Sequence, residues 1–228
     1  DSASQAAPVF ALWYGFPPAD ESGAALNALA EELGRRENHL STGIFATKMM
    51  FDVLRKSGRN DLAYKVANQR TFPGWGYMLS KGATTLWETW AYSDNVYSQN
   101  HPMFGSVTEW FFRSLLGINP GSPGFGKIII KPQPAGDLTS CGGSYNSIRG
   151  MISCNWKISN GRMLLDVGIP ANTTAEIWIP SSDPDSIKEG DKPVKDDREI
   201  KILRFENGYC IVETGSGNYS FNSPYGLF

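Results

Sequence analysis

The stretch Asn119-Pro120-Gly121-Ser122-Pro123-Gly124 divides this chain into two halves with different patterning. Prolines and glycines packed this closely favour turns over regular structure. Before the stretch, apolar residues recur at helical spacing; after it they fall in short β-type runs. Leu26, Leu29, Ala30 and Leu33 lie at i, i+3, i+4 and i+7, one face of a helix. Asp20 and Ser22 suit its N-cap, and Gly34 its stop. A second helix is expected through Ile44, Met49, Met50, Val53 and Leu54, capped by Thr42 and ended by Gly58. A third begins at Asn60 or Asp61 and runs to about Arg70. Pro73 interrupts the pattern, and a short helix through Tyr77 and Met78 follows. The last, over about 104–116, carries Phe104, Trp110, Phe111 and Phe112 and ends at Gly117. Helices this apolar around their circumference belong inside a larger helical assembly.

Beyond the turn stretch, strands are expected at 128–131, 140–145, 151–158, 163–169, 174–179, 200–205, 209–214 and 219–221. Leu165, Val167 and Ile169 alternate with Asp166 and Gly168, as a half-buried strand requires. Ser159-Asn160-Gly161 and Glu206-Asn207-Gly208 are hairpin signals. Strands this short and this evenly spaced point to an antiparallel sandwich. The charged stretch 181–199 reads as a long surface loop. The expected domains are therefore 1–119, helical, and 120–228, a β-sandwich. Five or six helices make about half of a closed helical toroid, so the chain is expected to be the C-terminal part of a longer protein.

Composition narrows the function. A net charge of −2 over 228 residues lacks the basic face that a nucleic-acid partner requires. No apolar run approaches the roughly 18 residues of a membrane span. No secretion signal is visible at Asp1. The three cysteines, Cys141, Cys154 and Cys210, form no Cys-x-x-Cys pair, and His39 and His101 lie far from them, so neither a metal nor a cofactor is expected. Cys141 and Cys154 sit on either side of a hairpin turning near Ser147; a disulfide there is left open, with free thiols the default.

The chemistry concentrates in Gly82-Ala83-Thr84-Thr85-Leu86-Trp87-Glu88-Thr89-Trp90. Apolar flanks make a charged Glu88 costly to bury. Indole faces are surfaces on which the apolar C–H face of a sugar ring stacks. An acid between aromatic platforms suits a glycosidase site. Thr85-x-x-Glu88 also matches a capping box, in which Glu88 reaches back to an amide at a helix start. His101 precedes Pro102, which holds it extended on a loop, placed to bind a sugar hydroxyl, orient Glu88 or serve structure alone. His39 and Thr42, in His39-Leu40-Ser41-Thr42-Gly43, either line a polar pocket or form a plain helix start. Trp75, Trp87, Trp90, Trp110 and Tyr92 are candidate stacking surfaces, or core. Asp94, Asn95 and Asn100 are candidate sugar hydrogen-bonders. Glu21, Glu31, Glu32 and Glu37 read as solvated helix faces. No Gly-x-Ser-x-Gly elbow and no P-loop ending is present.

Taken in order, these motifs resemble one family. His39–Gly43, Gly82–Trp90, Asn100-His101, Gly105-x-x-x-Glu109-Trp110 and Pro123-Gly124-Phe125 are similar to the C-terminal part of bacterial α-L-rhamnosidases, glycoside hydrolase family 78. In the β half, Lys131-Pro132, Gly143-x-Tyr145, Gly150-x-Ile152-x-x-x-Trp156, Ile169-Pro170-x-Asn172-Thr173-Thr174-Ala175 and Gly215-Ser216-Gly217-x-Tyr219-x-Phe221 extend the resemblance to about Phe221. It implies the C-terminal part of an (α/α)6 barrel followed by a C-terminal β-sandwich, and inverting release of terminal α-L-rhamnose from glycosides or polysaccharides. Glu88 takes the family's general-base position. His101 takes a substrate-binding position, with Trp87, Trp90, His39 and Thr42 as further substrate-binding candidates. The family's acid lies upstream of these residues. The implied partners are a rhamnose-containing carbohydrate and the N-terminal part of the same polypeptide, with no nucleic acid and no membrane. The family's role in glycan breakdown implies a periplasmic or secreted bacterial setting. The alternatives are a non-catalytic carbohydrate-binding or structural fragment, and an (α/α)6 glycosidase of another specificity.

Overall fold

The computed structural model describes residues 4–92, 98–181 and 183–226. Asp94 and Asn95 lie outside the described residues. The chain forms two compact units, Asp1–Trp110 and Phe111–Phe228.

The first unit is helical: α1 (Ala6–Tyr14), α2 (Ser22–Arg35), α3 (Ile44–Lys56), α4 (Asn60–Ala67), α5 (Trp75–Ser80) and α6 (Ser106–Trp110). Helix α3 is its hub, lying against α1, α4, α6 and the 3-10 turn Pro102–Gly105. Ala46, Thr47, Met50, Phe51, Val53 and Leu54 bury a wide arc of it, the environment its apolar circumference calls for. Several expected boundaries move. Gly43, not Thr42, is the α3 N-cap, because the Thr42 hydroxyl is turned inward onto Thr47 Oγ1 at 2.7 Å. Glu21 is the α2 N-cap, while Ser22 Oγ donates to the Pro18 carbonyl. Gly34 lies inside α2; the exit is made by Glu37 (φ 54) and Asn38 (φ 63), whose N–H returns to the Leu33 carbonyl at 2.7 Å. Helix α1 is not among the expected helices. Glu32 is not a solvated face: it is buried and bonded to Arg36 Nε at 2.6 Å and Arg35 Nη1 at 3.3 Å. The aromatic helix expected over about 104–116 is divided into the 3-10 turn, α6 and a π-helical turn at Phe111–Leu115.

The second unit contains two sheets. One has strand order β1-β2-β6-β10-β9 and the other β3-β4-β5-β11-β7-β8. The strands are β1 (Ile118–Pro120), β2 (Lys127–Ile130), β3 (Ser140–Ser147), β4 (Gly150–Ser159), β5 (Arg162–Ile169), β6 (Thr174–Pro180), β7 (Lys188–Glu189), β8 (Lys192–Pro193), β9 (Lys201–Glu206), β10 (Tyr209–Thr214) and β11 (Gly217–Pro224). Ile128, Ile130, Ile177, Ile179 and Val212 from the first sheet meet Ile152, Trp156, Leu165, Val167 and Phe221 from the second in one core. Both hairpin signals close as expected, with positive φ at Asn160 and Gly161 and at Asn207 and Gly208. The sandwich is not wholly antiparallel: β2 pairs with β6 in parallel, Ile128 opposite Ala175. Nor is 181–199 a free loop. Ile187 and Val194 are fully buried, and β7 and β8 pair between them. All three cysteines are free thiols. The β3–β4 register sets Cys141 opposite Trp156 and Cys154 opposite Gly143, so the two thiols are not cross-strand partners.

Candidate active site

The segment 84–91 is not helical, so the capping box does not form. Backbone bonds to a distant segment replace it. Glu88 N–H donates to the Ser98 carbonyl at 2.9 Å, and His101 N–H donates to the Leu86 carbonyl at 2.8 Å. The Thr85 hydroxyl donates to the Gln99 carbonyl instead of receiving a helix amide. Glu88 is half-buried, and its Oε2 accepts the Ser98 N–H at 3.0 Å. That bond fixes the carboxylate and leaves Oε1 as an acceptor. Ser98 carries no side-chain signal for this role. Its contribution is a backbone amide, supplied by a pairing ten residues away in sequence.

Below the segment lies an aromatic cluster. Trp90 stacks on Phe104 with ring centroids 3.8 Å apart, and Trp75 meets Trp90 edge-on at 5.0 Å. Phe51 meets both Trp75 and Trp110 edge-on. Trp90 Nε1 donates to the Thr42 carbonyl at 2.7 Å, and Trp75 Nε1 to the Phe104 carbonyl at 3.0 Å. An indole N–H removed from water needs such a partner, and here the two bonds tie the Glu88 segment to the residues just ahead of α3 and α5 to the 3-10 turn. Trp87, Trp90 and Trp110 are 4 %, 8 % and 3 % exposed, so their faces are committed to the core of this unit. Among the candidate stacking rings, Tyr92 is the open one, at 53 %, and it lies edge-on to Trp87 at 5.4 Å.

His101 has the extended backbone expected before proline, φ −119 and ψ 124. Its Nδ1 accepts the Met103 N–H at 3.3 Å. In the neutral ring the proton then sits on Nε2, which becomes a donor. His39 is engaged at both nitrogens. Nδ1 lies 2.9 Å from the Arg36 carbonyl, which can only accept, and Nε2 lies 2.7 Å from Thr71 Oγ1. Thr42 is buried, its carbonyl holding Trp90. Asn100 is exposed, its N–H donating to Ser98 Oγ at 3.1 Å. Among the described residues, no group of three or more His, Cys, Asp or Glu is placed to hold a metal ion, and no helix is long and apolar enough to cross a membrane.

Comparison with known proteins agrees with the two-part architecture. The bacterial α-L-rhamnosidase six-hairpin glycosidase domain matches residues 1–115, and the bacterial α-L-rhamnosidase C-terminal domain matches residues 117–193. An α-L-rhamnosidase of Streptomyces avermitilis is 35 % identical over 226 residues, covering 96 % of this chain and 21 % of that protein. The structure of that organism's enzyme, complexed with L-rhamnose, matches with a TM-score of 0.87 over the same shares. The α-L-rhamnosidase of Dictyoglumus thermophilum matches at 38 % identity and TM-score 0.87, over 97 % of this chain and 25 % of that one. An α-L-rhamnosidase of Formosa agariphila is 32 % identical over 99 % of this chain and 25 % of its own length. The chain thus spans about a fifth to a quarter of the relatives it matches. It belongs to the bacterial α-L-rhamnosidase family, with six-hairpin glycosidase sequence in its helical part and the family's C-terminal domain in its β part.

Proposed function

We propose that this chain is the base-bearing part of an inverting α-L-rhamnosidase, with its helices forming the C-terminal portion of an (α/α)6 barrel. The observation that carries the reading is the state of Glu88. A half-buried carboxylate within the Gly82–Trp90 motif is pinned at one oxygen by the Ser98 amide and, among the described residues, has no hydrogen bond at the other. A general base needs that geometry, because its free oxygen must accept a proton from a positioned water. His101 Nε2–H binds a sugar hydroxyl, its tautomer set by the Met103 amide. Trp90 and Thr42 act on substrate indirectly, by seating the Glu88 segment on the residues just ahead of α3 and against Trp75 of α5, while buried Trp87 supports Tyr92 at the edge of the segment. His39, bonded at both ring nitrogens to the Arg36 carbonyl and Thr71 Oγ1, is held in place rather than free to bind a sugar hydroxyl. Inversion requires a second carboxyl group about 6.5–9.5 Å away to protonate the leaving oxygen. The longer polypeptide supplies it.

The test uses that longer polypeptide with an aryl α-L-rhamnoside. Glu88→Gln keeps the Ser98 bond but cannot take a proton, so kcat falls by about 10²–10⁴ with little change in KM. Proton NMR of early product shows the β anomer of rhamnose. Retained turnover in Glu88→Gln, or first appearance of the α anomer, overturns the reading.

A further inference from the structure

The β unit contains a cleft that the Glu88 reading does not use. It has a volume of about 530 Å³ and is lined by the end of β1, the turn that follows and the β3–β4 hairpin. Two aromatic rings form its wall: Phe125 and Tyr145, centroids 5.2 Å apart and tilted by 38°. Phe112 backs Tyr145 edge-on at 6.5 Å. Ile148 forms the lip and is 85 % exposed, and Tyr145 is 43 % exposed. Phe125 is held at φ 56, directly after Gly124 at φ 64. A bulky residue rarely adopts the left-handed region, and such outliers cluster where a side chain must be aimed. Gly124 matters for space as well: a Cβ there would lie 2.9 Å from Ile148 Cδ1.

The polar groups in the cleft are few and neutral. Among the described residues, Tyr145 Oη makes no hydrogen bond. Ser122 Oγ accepts the Lys127 N–H at 2.8 Å, which leaves its own proton to donate. No carboxylate, ammonium, guanidinium or imidazole lines the cleft among the described residues. A charged ligand would lose its hydration against these rings without a partner. Of the three hydroxyls in the lining, Ser147 Oγ is already bonded to the Gly150 carbonyl and the Arg149 N–H, and a wholly apolar ligand would leave those of Tyr145 and Ser122 unused. The lining fits a small neutral ligand with one apolar face and hydroxyls at its edge.

We propose that this cleft is a second saccharide site, taking a neutral 6-deoxy sugar stacked on Tyr145 and Phe125 with its hydroxyls at Tyr145 Oη and Ser122 Oγ. The choice of sugar rests on the proposed function; the site itself rests on the cleft. The experiment titrates the 15N-labelled 228-residue chain with methyl α-L-rhamnoside, and with glycerol as a polyol control. Saturable amide shifts are expected at 122–125 and 145–148, absent with glycerol and unchanged in Glu88→Gln. Tyr145→Ala weakens them about tenfold or more. Ile148→Asp, at an exposed turn position where folding is not at stake, also weakens them. Absence of saturable shifts at these positions, shifts reproduced by glycerol, or shifts that survive both substitutions each overturn the proposal. Shifts confined to 85–101 overturn it while leaving the Glu88 reading standing. A dimer that Tyr145→Ala dissociates, with no sugar shift, gives the cleft to a second copy and overturns it too. Failure of the Glu88 reading is seen separately, as turnover retained by Glu88→Gln in the longer polypeptide.

Discussion

At the scale of single residues, Trp90 shows how a buried side chain anchors the segment that carries Glu88. Its ring rests on Phe104 and its N–H holds the Thr42 carbonyl at 2.7 Å. Trp90→Phe keeps a ring but removes that donor, leaving Thr42 O with the longer 3.4 Å bond from Thr47. The expected cost is about 1–2 kcal/mol in urea denaturation. Trp90→Ala, which also opens a cavity, costs about 3–5 kcal/mol. The cysteines give a second residue-level prediction. Burial pushes the Cys210 thiol up to about 11, and burial, with Cys141 and Asp166 nearby, pushes Cys154 higher still. Cys141 is raised too, also by burial, but it is half-exposed. Because the thiolate is the reactive form, iodoacetamide at mildly alkaline pH should label Cys141 first and the other two only on unfolding. Mass spectrometry of the peptides reads this directly, and equal labelling rates for Cys141 and Cys210 would contradict the packing.

At the scale of elements, two glycines with the same backbone requirement differ in what surrounds them. Gly161 has φ 68 in the β4–β5 hairpin, with nothing within 4 Å of an added Cβ. Gly161→Ala should cost about 1–2 kcal/mol, the penalty of the left-handed region alone. Gly117 has φ 76, but its Cβ would lie 2.0 Å from the Lys131 carbonyl carbon. Gly117→Ala should exceed the Gly161→Ala loss by at least about 2 kcal/mol in the same denaturation assay, because backbone must move. These elements also show what was legible. Alternation in β5 and the Asn-Gly turns are local signals, so strands and hairpins emerge from sequence. The parallel β2–β6 pair has no such signal, because its partners are almost fifty residues apart. The stretch 181–199 misled for a related reason: its charges are numerous, and the two anchors that pin it, Ile187 and Val194, sit seven residues apart among them. The capping box at Thr85 is a local match overridden by long-range pairing with 98–101.

At the scale of the whole molecule, the helical unit carries large apolar side chains in the open: Tyr14, Phe16, Phe45, Phe72 and Leu79 are each more than half exposed. The chain spans 21–25 % of the relatives it matches. On the proposed inverting mechanism two carboxyl groups act across one sugar, and the acid of the proposal lies outside these residues. The 228-residue chain by itself should therefore not turn over an aryl α-L-rhamnoside. Appreciable release by the isolated chain, abolished in Glu88→Gln, would show that both groups are already present.

Sequence alone determined the change from helical to β patterning, the hairpin turns and the motif around Glu88, because each depends on residues within a few positions of one another. Tertiary structure decided which carboxylate oxygen of Glu88 is held, which tryptophans are buried, how β2 finds β6 and where Phe125 meets Tyr145. Those outcomes are set by contacts between residues distant in the chain, where a backbone amide or a neighbouring ring, rather than residue type, settles the role.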